Sequence, residues 1–177
     1  KNYNTNITEK VLINNLEFNS NSEYFNNGLV NNKKLLIKNV NSDARNSEKF
    51  KNKNSSSLVP TFQTNYTYPL QKKTNEFNYT LTPKFTLNLS IPHTKDVREE
   101  DTEINYNNIY DIDRLGLSEV NEGGISATYG YEYIKSDISN FNQKIKFGFA
   151  NNLRLNENKD LPVNSNLGDK VSDFVGL

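Results

Sequence analysis

The segment Phe77–Ile91, FNYTLTPKFTLNLSI, alternates apolar and polar residues almost without interruption. Its odd-numbered positions are aromatic or aliphatic except for Pro83, and every even-numbered position is polar. Because successive side chains of a β-strand point to opposite faces, this pattern predicts a strand with one apolar and one polar face. The segment exceeds the ~5–6 residues of an ordinary strand and suffices for a tilted barrel strand, which crosses a membrane in roughly 9–11 residues.

The same two-residue period recurs along the chain, and no segment shows a helical period. Further strands are predicted near residues 11–18, 33–40, 58–70, 125–134, 144–155 and 171–177. The pattern therefore predicts an all-β fold: an antiparallel transmembrane β-barrel segment of about 7–8 strands, with residues 1–177 as part of one barrel domain. Since the chain does not begin with methionine, we expect a piece of a longer protein.

The predicted connections alternate in length. Short turns are expected at Asn26–Gly28, Gln71–Glu76 and residues 135–142, and long polar loops at residues 41–57, 92–124 and 156–170. Long loops on one side of a sheet and short turns on the other are typical of outer-membrane barrels, in which the short turns are periplasmic. Pro83 lacks a backbone N–H, so a bulge or a broken ladder hydrogen bond is expected there, or a division into two shorter strands.

Composition excludes several classes of function. The formal net charge is zero, which gives no electrostatic basis for binding nucleic acid. There is no cysteine, hence no disulfide, thiolate metal site or thiol nucleophile. The mean hydropathy of −0.80 and the absence of an apolar run of roughly 18 residues exclude a helical membrane protein.

The residues that could carry chemistry favour a protein that is not an enzyme. His93 is the only histidine and has no nucleophile elbow or metal-ligand spacing near it, so an exposed loop position is expected. The acidic residues between Asp96 and Glu122 do not match an EF-hand, and a solvated loop is favoured over a Ca²⁺ or Mg²⁺ site. Gly123 and Gly124 precede a strand rather than a helix, which argues against phosphate binding. No catalytic residue, metal or cofactor is predicted.

The two faces of the segment Phe77–Ile91 are the candidate functional surfaces. The polar residues are predicted to line a barrel lumen and a substrate path: Asn78, Thr80, Thr82, Lys84, Thr86 and Asn88. The apolar residues are predicted to face lipid: Phe77, Tyr79, Leu81, Phe85, Leu87 and Leu89. The tyrosines at 129, 131 and 133 fit either a boundary belt between lipid and water or the core or ligand platform of a soluble sheet.

Several short motifs resemble the LPS-assembly protein LptD family. They are Leu81–Lys84, Asp101–Tyr110, Asp113–Gly116, Val120–Gly124, Thr128–Gly130, Asn158–Pro162 and Lys170–Asp173. Their order and spacing carry the resemblance, which spans about Leu58 to Leu177. The residues Asp113, Arg114, Glu122, Gly123 and Gly124 form its loop motif.

The resemblance implies a barrel fragment that delivers lipopolysaccharide to the outer leaflet of the outer membrane of a Gram-negative bacterium. The implied partners are lipopolysaccharide, an LptE-like plug lipoprotein, periplasmic LPS bridge proteins and outer-membrane lipid. None of the family's gate residues can be placed on this chain. Two other classes stay open: another outer-membrane porin or receptor barrel, and a soluble secreted β-rich binding module whose aromatic face is a packed core.

Overall fold

The computed structural model describes residues 6–47, 53–91, 96–140 and 144–177. Nine strands form a single antiparallel sheet. They are β1 Thr8–Asn19, β2 Glu23–Tyr24, β3 Val30–Arg45, β4 Asn54–Thr67, β5 Leu70–Lys73, β6 Phe77–Ser90, β7 Gly124–Asp137, β8 Lys144–Arg154 and β9 Val175–Gly176. One 3-10 turn, Val163–Ser165, lies between β8 and β9. The fold is all-β, as the two-residue period predicts.

The strand order is β1-β3-β4-β6-β7-β8-β9, with β2 paired to β3 and β5 paired to β6. Among the described residues β1 and β9 do not pair with each other, so the sheet is open and is not closed into a barrel. Five of the strands contain 12 or more residues, and β3 contains 16. At roughly 3.3 Å per residue, a 14-residue strand spans about 46 Å, which is longer than the ~30 Å hydrocarbon core of a bilayer.

The predicted strands are recovered with shifted ends. The strand expected at residues 58–70 begins at Asn54 and ends at Thr67, and β5 follows after Pro69, which cannot donate a ladder hydrogen bond. Residues 71–73 therefore belong to β5, and the turn into β6 is confined to residues 74–76. The strand expected at 171–177 is reduced to β9 and a single bridge between Val171 and Leu153.

The prediction of a long loop at residues 41–57 is wrong. Both ends of this segment are β-strand, because β3 runs to Arg45 and β4 starts at Asn54. Asn41 lies opposite Ser56 and Ser42 opposite Ser55 in an unbroken ladder. The ladder is built by backbone groups, so a run of small polar side chains can pair as well as an apolar one. The long connection between β6 and β7, residues 91–123, is present as predicted.

Pro83 breaks a hydrogen bond without a bulge and without dividing β6. On one side, the pairing of β6 with β7 runs continuously from Phe77 to Ser90. On the other side, the ladder is interrupted between the pairs Thr67–Lys84 and Leu70–Leu81. The register is the same on both sides of the gap, since three positions separate these pairs on each strand. Of the expected outcomes, only the broken ladder is confirmed.

The two faces of the sheet differ in what covers them. Residues directly opposite in the ladder share a face, which joins Phe18, Leu35, Phe62, Leu89 and Ile125 into one apolar row. Side chains of this row are open to solvent, with Phe18 66%, Phe62 38% and Leu89 37% exposed. The described residues form one sheet only, so no second sheet packs on this apolar face.

Candidate functional site

The opposite, polar face carries aligned hydrogen-bonding side chains from four neighbouring strands. One row joins Gln63, Asn88, Ser126 and Arg154, and a second joins Asn65, Thr86, Thr128 and Asn152. Gln63 Nε2 donates to Asn88 Oδ1 at 2.9 Å, and Thr86 Oγ1 donates to Asn65 Oδ1 at 2.7 Å. Most of these side chains are buried, although they lie on the surface of a single sheet.

Their burial is due to the connection between β6 and β7, which folds back over the polar face. We call its described residues, 96–123, the covering loop. Tyr110 accepts a hydrogen bond at its carbonyl oxygen from Gln63 Nε2 at 3.1 Å, and Ile109 does so from Thr128 Oγ1 at 3.4 Å. Asn121 Nδ2 donates to Thr61 Oγ1. The loop is thus fixed to β4 and β7 by contacts along its length.

Arg114 lies at the centre of this arrangement with its side chain fully buried. Its Nε and Nη2 donate to the two carboxylate oxygens of Glu122 at 2.9 and 2.6 Å, which is the paired geometry that guanidinium and carboxylate favour. The remaining donors reach the sheet: Nη2 to Ser126 Oγ at 2.7 Å, and Nη1 to Asn152 Oδ1 at 2.7 Å and Thr128 Oγ1 at 3.2 Å. One side chain therefore joins the loop to β7 and β8.

Arg154, at the end of β8, is a second buried cation on the same carboxylate. Its Nη1 donates to Glu122 Oε1 and its Nη2 to the carbonyl oxygen of Gly123. Gly124 has a φ of +92°, and a Cβ placed there would lie 3.1 Å from Arg154 Nη2. Glycine is thus required where β7 begins, for backbone conformation and for space. The cluster Arg114–Glu122–Arg154 carries two cations and one anion.

A separate ion pair fixes the loop to β3. Lys38 is 1% exposed, and its Nζ donates to Asp113 Oδ2 at 2.7 Å. The same ammonium group donates to the carbonyl oxygens of Leu117 at 2.5 Å and Val120 at 2.8 Å. All three hydrogens of the ammonium group therefore have acceptors in the covering loop, which compensates for its removal from water.

Two tyrosines of the loop pack onto glycines of the sheet. Tyr106 lies over Gly148, where an added Cβ would come within 2.7 Å of the ring, and its hydroxyl donates to the carbonyl oxygen of Tyr131 at 3.0 Å. Tyr110 lies over Gly130, where an added Cβ would come within 2.5 Å of the hydroxyl oxygen. Burial raises the pKa of Tyr106 to about 12 and raises the pKa of Tyr110 as well.

The covering loop shares a small apolar core with the segment that follows β8. Its buried members come from both segments and are Val97, Leu115, Val120, Leu161 and Leu167. Backbone hydrogen bonds join the two, from Val97 N to the oxygen of Asp160 at 2.8 Å and from Val163 N to the oxygen of Arg98 at 3.4 Å. The two long connections therefore form one cap over the polar face.

The predicted site residues of β6 differ in whether the covering loop buries them. Thr86 and Asn88 are buried beneath the covering loop, and Lys84 pairs with Glu132 at 3.3 Å. Asn78, Thr80 and Thr82 lie on the same face beyond the reach of the loop and are partly exposed. Among the residues predicted to face lipid, Leu81, Phe85 and Leu89 are exposed, whereas Phe77, Tyr79 and Leu87 are partly buried.

The five motif residues all meet in the cap. Asp113 pairs with Lys38, Arg114 with Glu122, and the carbonyl oxygen of Gly123 and the open space at Gly124 accommodate Arg154. The expectation of a solvated acidic loop is therefore wrong for Asp113 and Glu122, because each is paired to a buried cation. The described residues contain no group of three metal-ligating side chains. His93 lies outside the described residues.

Sequence reasoning missed the cations on the strands. Lys38 lies within β3 and Arg154 at the end of β8, both on the polar face, and a charged residue in a strand was the available signal. Tyr131 and Tyr133 lie on the apolar face, with rings 4.3 Å from Phe149 and 4.8 Å from Phe147 between centroids. This position leaves both interpretations of the tyrosines open.

No protein-family model, curated protein sequence or solved structure matches the chain. Among the described residues, no helix has the length and apolar character needed to cross a bilayer.

Proposed function

We propose that the chain forms part of the wall of an outer-membrane β-barrel, with its apolar face toward lipid and its polar face toward the lumen. The observation that carries this proposal is that the apolar face of the sheet is exposed and the polar face is covered, which is the reverse of a soluble sheet. Phe85 and Leu89 are open on one face, whereas Thr86, Asn88 and Gln63 are buried on the other. In a soluble sheet the apolar face packs on a core, and an exposed apolar surface of this extent is a sign of a partner or a membrane.

Within that class, we propose a lipopolysaccharide transporter resembling the LptD family. The support is that several of the motifs carrying the resemblance contain residues that fix the covering loop to the sheet. Asp113, Arg114 and Glu122 form its buried ion pairs. Asn158–Pro162 packs against the same loop through Leu161, which supports a common role for these separate motifs.

The chemistry of the two faces suits an amphipathic glycolipid. Sugar hydroxyls and phosphates need hydrogen-bonding and cationic side chains, which the polar face offers at Asn78, Thr80, Thr82 and Lys84. A barrel wall needs an apolar outer surface toward lipid, which Leu81, Phe85 and Leu89 offer. Removing each large apolar side chain from water stabilises the inserted protein by roughly 1.5–3 kcal/mol. No step of such delivery requires a catalytic group.

Photo-crosslinking in the encoding bacterium tests the proposal. A benzoylphenylalanine residue placed at Thr80, on the open part of the polar face, is expected to give an adduct with lipopolysaccharide. The same residue at Leu81, one position along β6, faces the other way and is the matched control, for which phospholipid adducts are expected. If positions 80 and 82 gave no lipopolysaccharide adduct while the protein assembled normally, the transport proposal would fail and another barrel class would be favoured.

A further inference from the structure

The covering loop divides the polar face into two regions with different charge balance. The loop-covered region contains Lys38, Arg114 and Arg154, and each of these cations contacts a carboxylate of the loop. The open region lies toward the end of the sheet where β6 begins and β7 ends. We call its four lysines the lysine patch, and they are Lys73, Lys84, Lys144 and Lys146.

The ladder places these four lysines on one face. Lys73 lies opposite Asn78, which lies opposite Ser136, which in turn lies opposite Lys144. The next row joins Gln71, Thr80, Ile134 and Lys146 in the same way. Lys84 lies opposite Gly130, further along the same face of β6. Three neighbouring strands and β5 thus bring the lysines together.

The patch has too few carboxylates to balance its lysines. Glu132 lies opposite Thr82, between these rows, and is the single acidic residue among the described strand residues of this part of the face. It accepts from both Lys84 at 3.3 Å and Lys146 at 3.0 Å. Lys73 and Lys144 are exposed and have no acidic partner among the described residues. The patch therefore carries four positive charges against one negative charge, in contrast to the paired cations beneath the loop.

A cleft lies between the lysine patch and the middle of the covering loop. Lys84, Lys146 and Glu132 line it together with Asn65, Thr86 and Asn107, and its volume is about 350 Å³. Lys34 and Asp111 also line it. Lys84 Nζ lies 5.4 and 5.5 Å from the ring centroids of Tyr106 and Tyr110, which also line the cleft, so cation–π contacts help to position the ammonium group there. Amide, hydroxyl and ammonium groups around an open space are donors suited to phosphate and sugar oxygens.

We propose that the lysine patch binds the phosphate groups of an amphiphile that passes along the polar face. This inference rests on the proposed function, because it places the patch on the route of a phosphorylated glycolipid. The patch lies at the end of the sheet with the short turns, so it meets the anionic group before the covering loop does. Two sources share this chemistry: the phosphates of lipopolysaccharide and the phosphate of a phospholipid headgroup.

The test measures binding to the full-length protein in detergent micelles. The probes are purified lipopolysaccharide, the same lipopolysaccharide after enzymatic removal of its phosphates, and phosphatidylglycerol. The variant is K73Q/K144Q, which removes the two unpartnered lysines. The matched control is K72Q/K135Q, which removes the same charge from β5 and from β7, the strand next to β8. Lys72 and Lys135 lie opposite Tyr79 on the apolar face.

K73Q/K144Q is expected to weaken binding of phosphorylated lipopolysaccharide about tenfold and to reduce its salt dependence, because exposed charge contacts contribute modestly and are screened. Neither the control variant nor the dephosphorylated probe should show this loss. An equal loss of phosphatidylglycerol binding would assign the patch to phosphate from any lipid; loss confined to lipopolysaccharide would assign it to the glycolipid.

The inference is overturned if K73Q/K144Q and K72Q/K135Q behave alike, or if removal of the phosphates leaves binding unchanged. Circular dichroism and heat-shifted gel mobility establish that both variants are folded. The transport proposal and the lysine-patch proposal can be refuted independently of each other. A lipopolysaccharide adduct at position 80 with unaltered binding by K73Q/K144Q would retain transport and reject the patch, whereas phosphate binding without any adduct would reject transport.

Discussion

Replacing Glu122 with glutamine should release the covering loop more effectively than replacing either arginine that it binds. Glu122 is 8% exposed, and the side chains of Arg114 and Arg154 are 0% and 1% exposed. The substitution keeps the shape but leaves two adjacent buried guanidinium groups without a carboxylate. Breaking a buried pair by neutralising one member costs about 3–5 kcal/mol, and here two cations lose their partner at once.

Arg114→Gln should have a smaller effect, because it leaves Arg154 and Glu122 as a balanced pair. The loss is then mainly that of hydrogen bonds to Ser126, Thr128 and Asn152, at about 1–3 kcal/mol in total for groups that keep other partners. The double variant R114Q/E122Q should cost less than the sum of the two single variants, since neighbouring members of one network are not additive.

Hydrogen exchange of peptides covering residues 113–123 is the assay, measured on the full-length protein in lipid or detergent. A loss of 3–5 kcal/mol corresponds to exchange faster by on the order of 10²–10⁴, up to the unprotected rate. Glu103→Gln is the matched control, because Glu103 is an exposed carboxylate on the same loop. If E122Q exchanged no faster than E103Q, or if R114Q exchanged faster than E122Q, the charge argument would be refuted.

Three further substitutions test which contacts hold the covering loop on the polar face. Gly130→Ala should disturb the pairing of β7 with β8 and displace Tyr110, since the added Cβ would clash with the backbone oxygen of Phe149 and lie 2.5 Å from the Tyr110 hydroxyl oxygen, and protease cleavage near residue 110 should increase. Lys38→Met should free Asp113 and cost about 2–4 kcal/mol of loop closure, measured by exchange of residues 113–120. Partial desolvation raises the pKa of Asp111, whose residue stays exposed, so loop stability should fall by a small amount as pH rises from the ordinary carboxyl pKa through the raised folded value. Asp111→Asn should abolish that fall and slow exchange at pH 7.

The strands could be predicted from sequence because the period of two is imposed by backbone geometry. Phe77–Ile91 shows the pattern without help from tertiary contacts, and β6 ends within one residue of the prediction. The end of β3 could not be predicted in this way. Its polar residues at 41–43 pair through the backbone, and side-chain polarity alone favours a loop there.

The cap could not be predicted because its contacts join residues far apart in the chain. Arg114 and Asn152 are separated by 38 positions, and Lys38 and Asp113 by 75. A local period in the sequence reflects the alternation of neighbouring residues and does not indicate such distant pairs. The motif residues Asp113, Arg114 and Glu122 were selected by resemblance, and their acidic surroundings favoured a solvated loop. Only the cation positions carried a signal, as a charge inside β3 at Lys38 and a charge at the end of β8 at Arg154.

The most direct test of the account measures which face of β6 meets lipid. The chain has no cysteine, so a single introduced cysteine carries a nitroxide at a chosen position. Paramagnetic accessibility to oxygen, which concentrates in the bilayer, and to a water-soluble nickel chelate is then recorded in vesicles at each position from 78 to 89. With the apolar face toward lipid, oxygen maxima are expected at positions 79, 81, 85, 87 and 89 and oxygen minima at the even positions between them. Equal accessibility at odd and even positions, or nickel maxima at the odd ones, would contradict it.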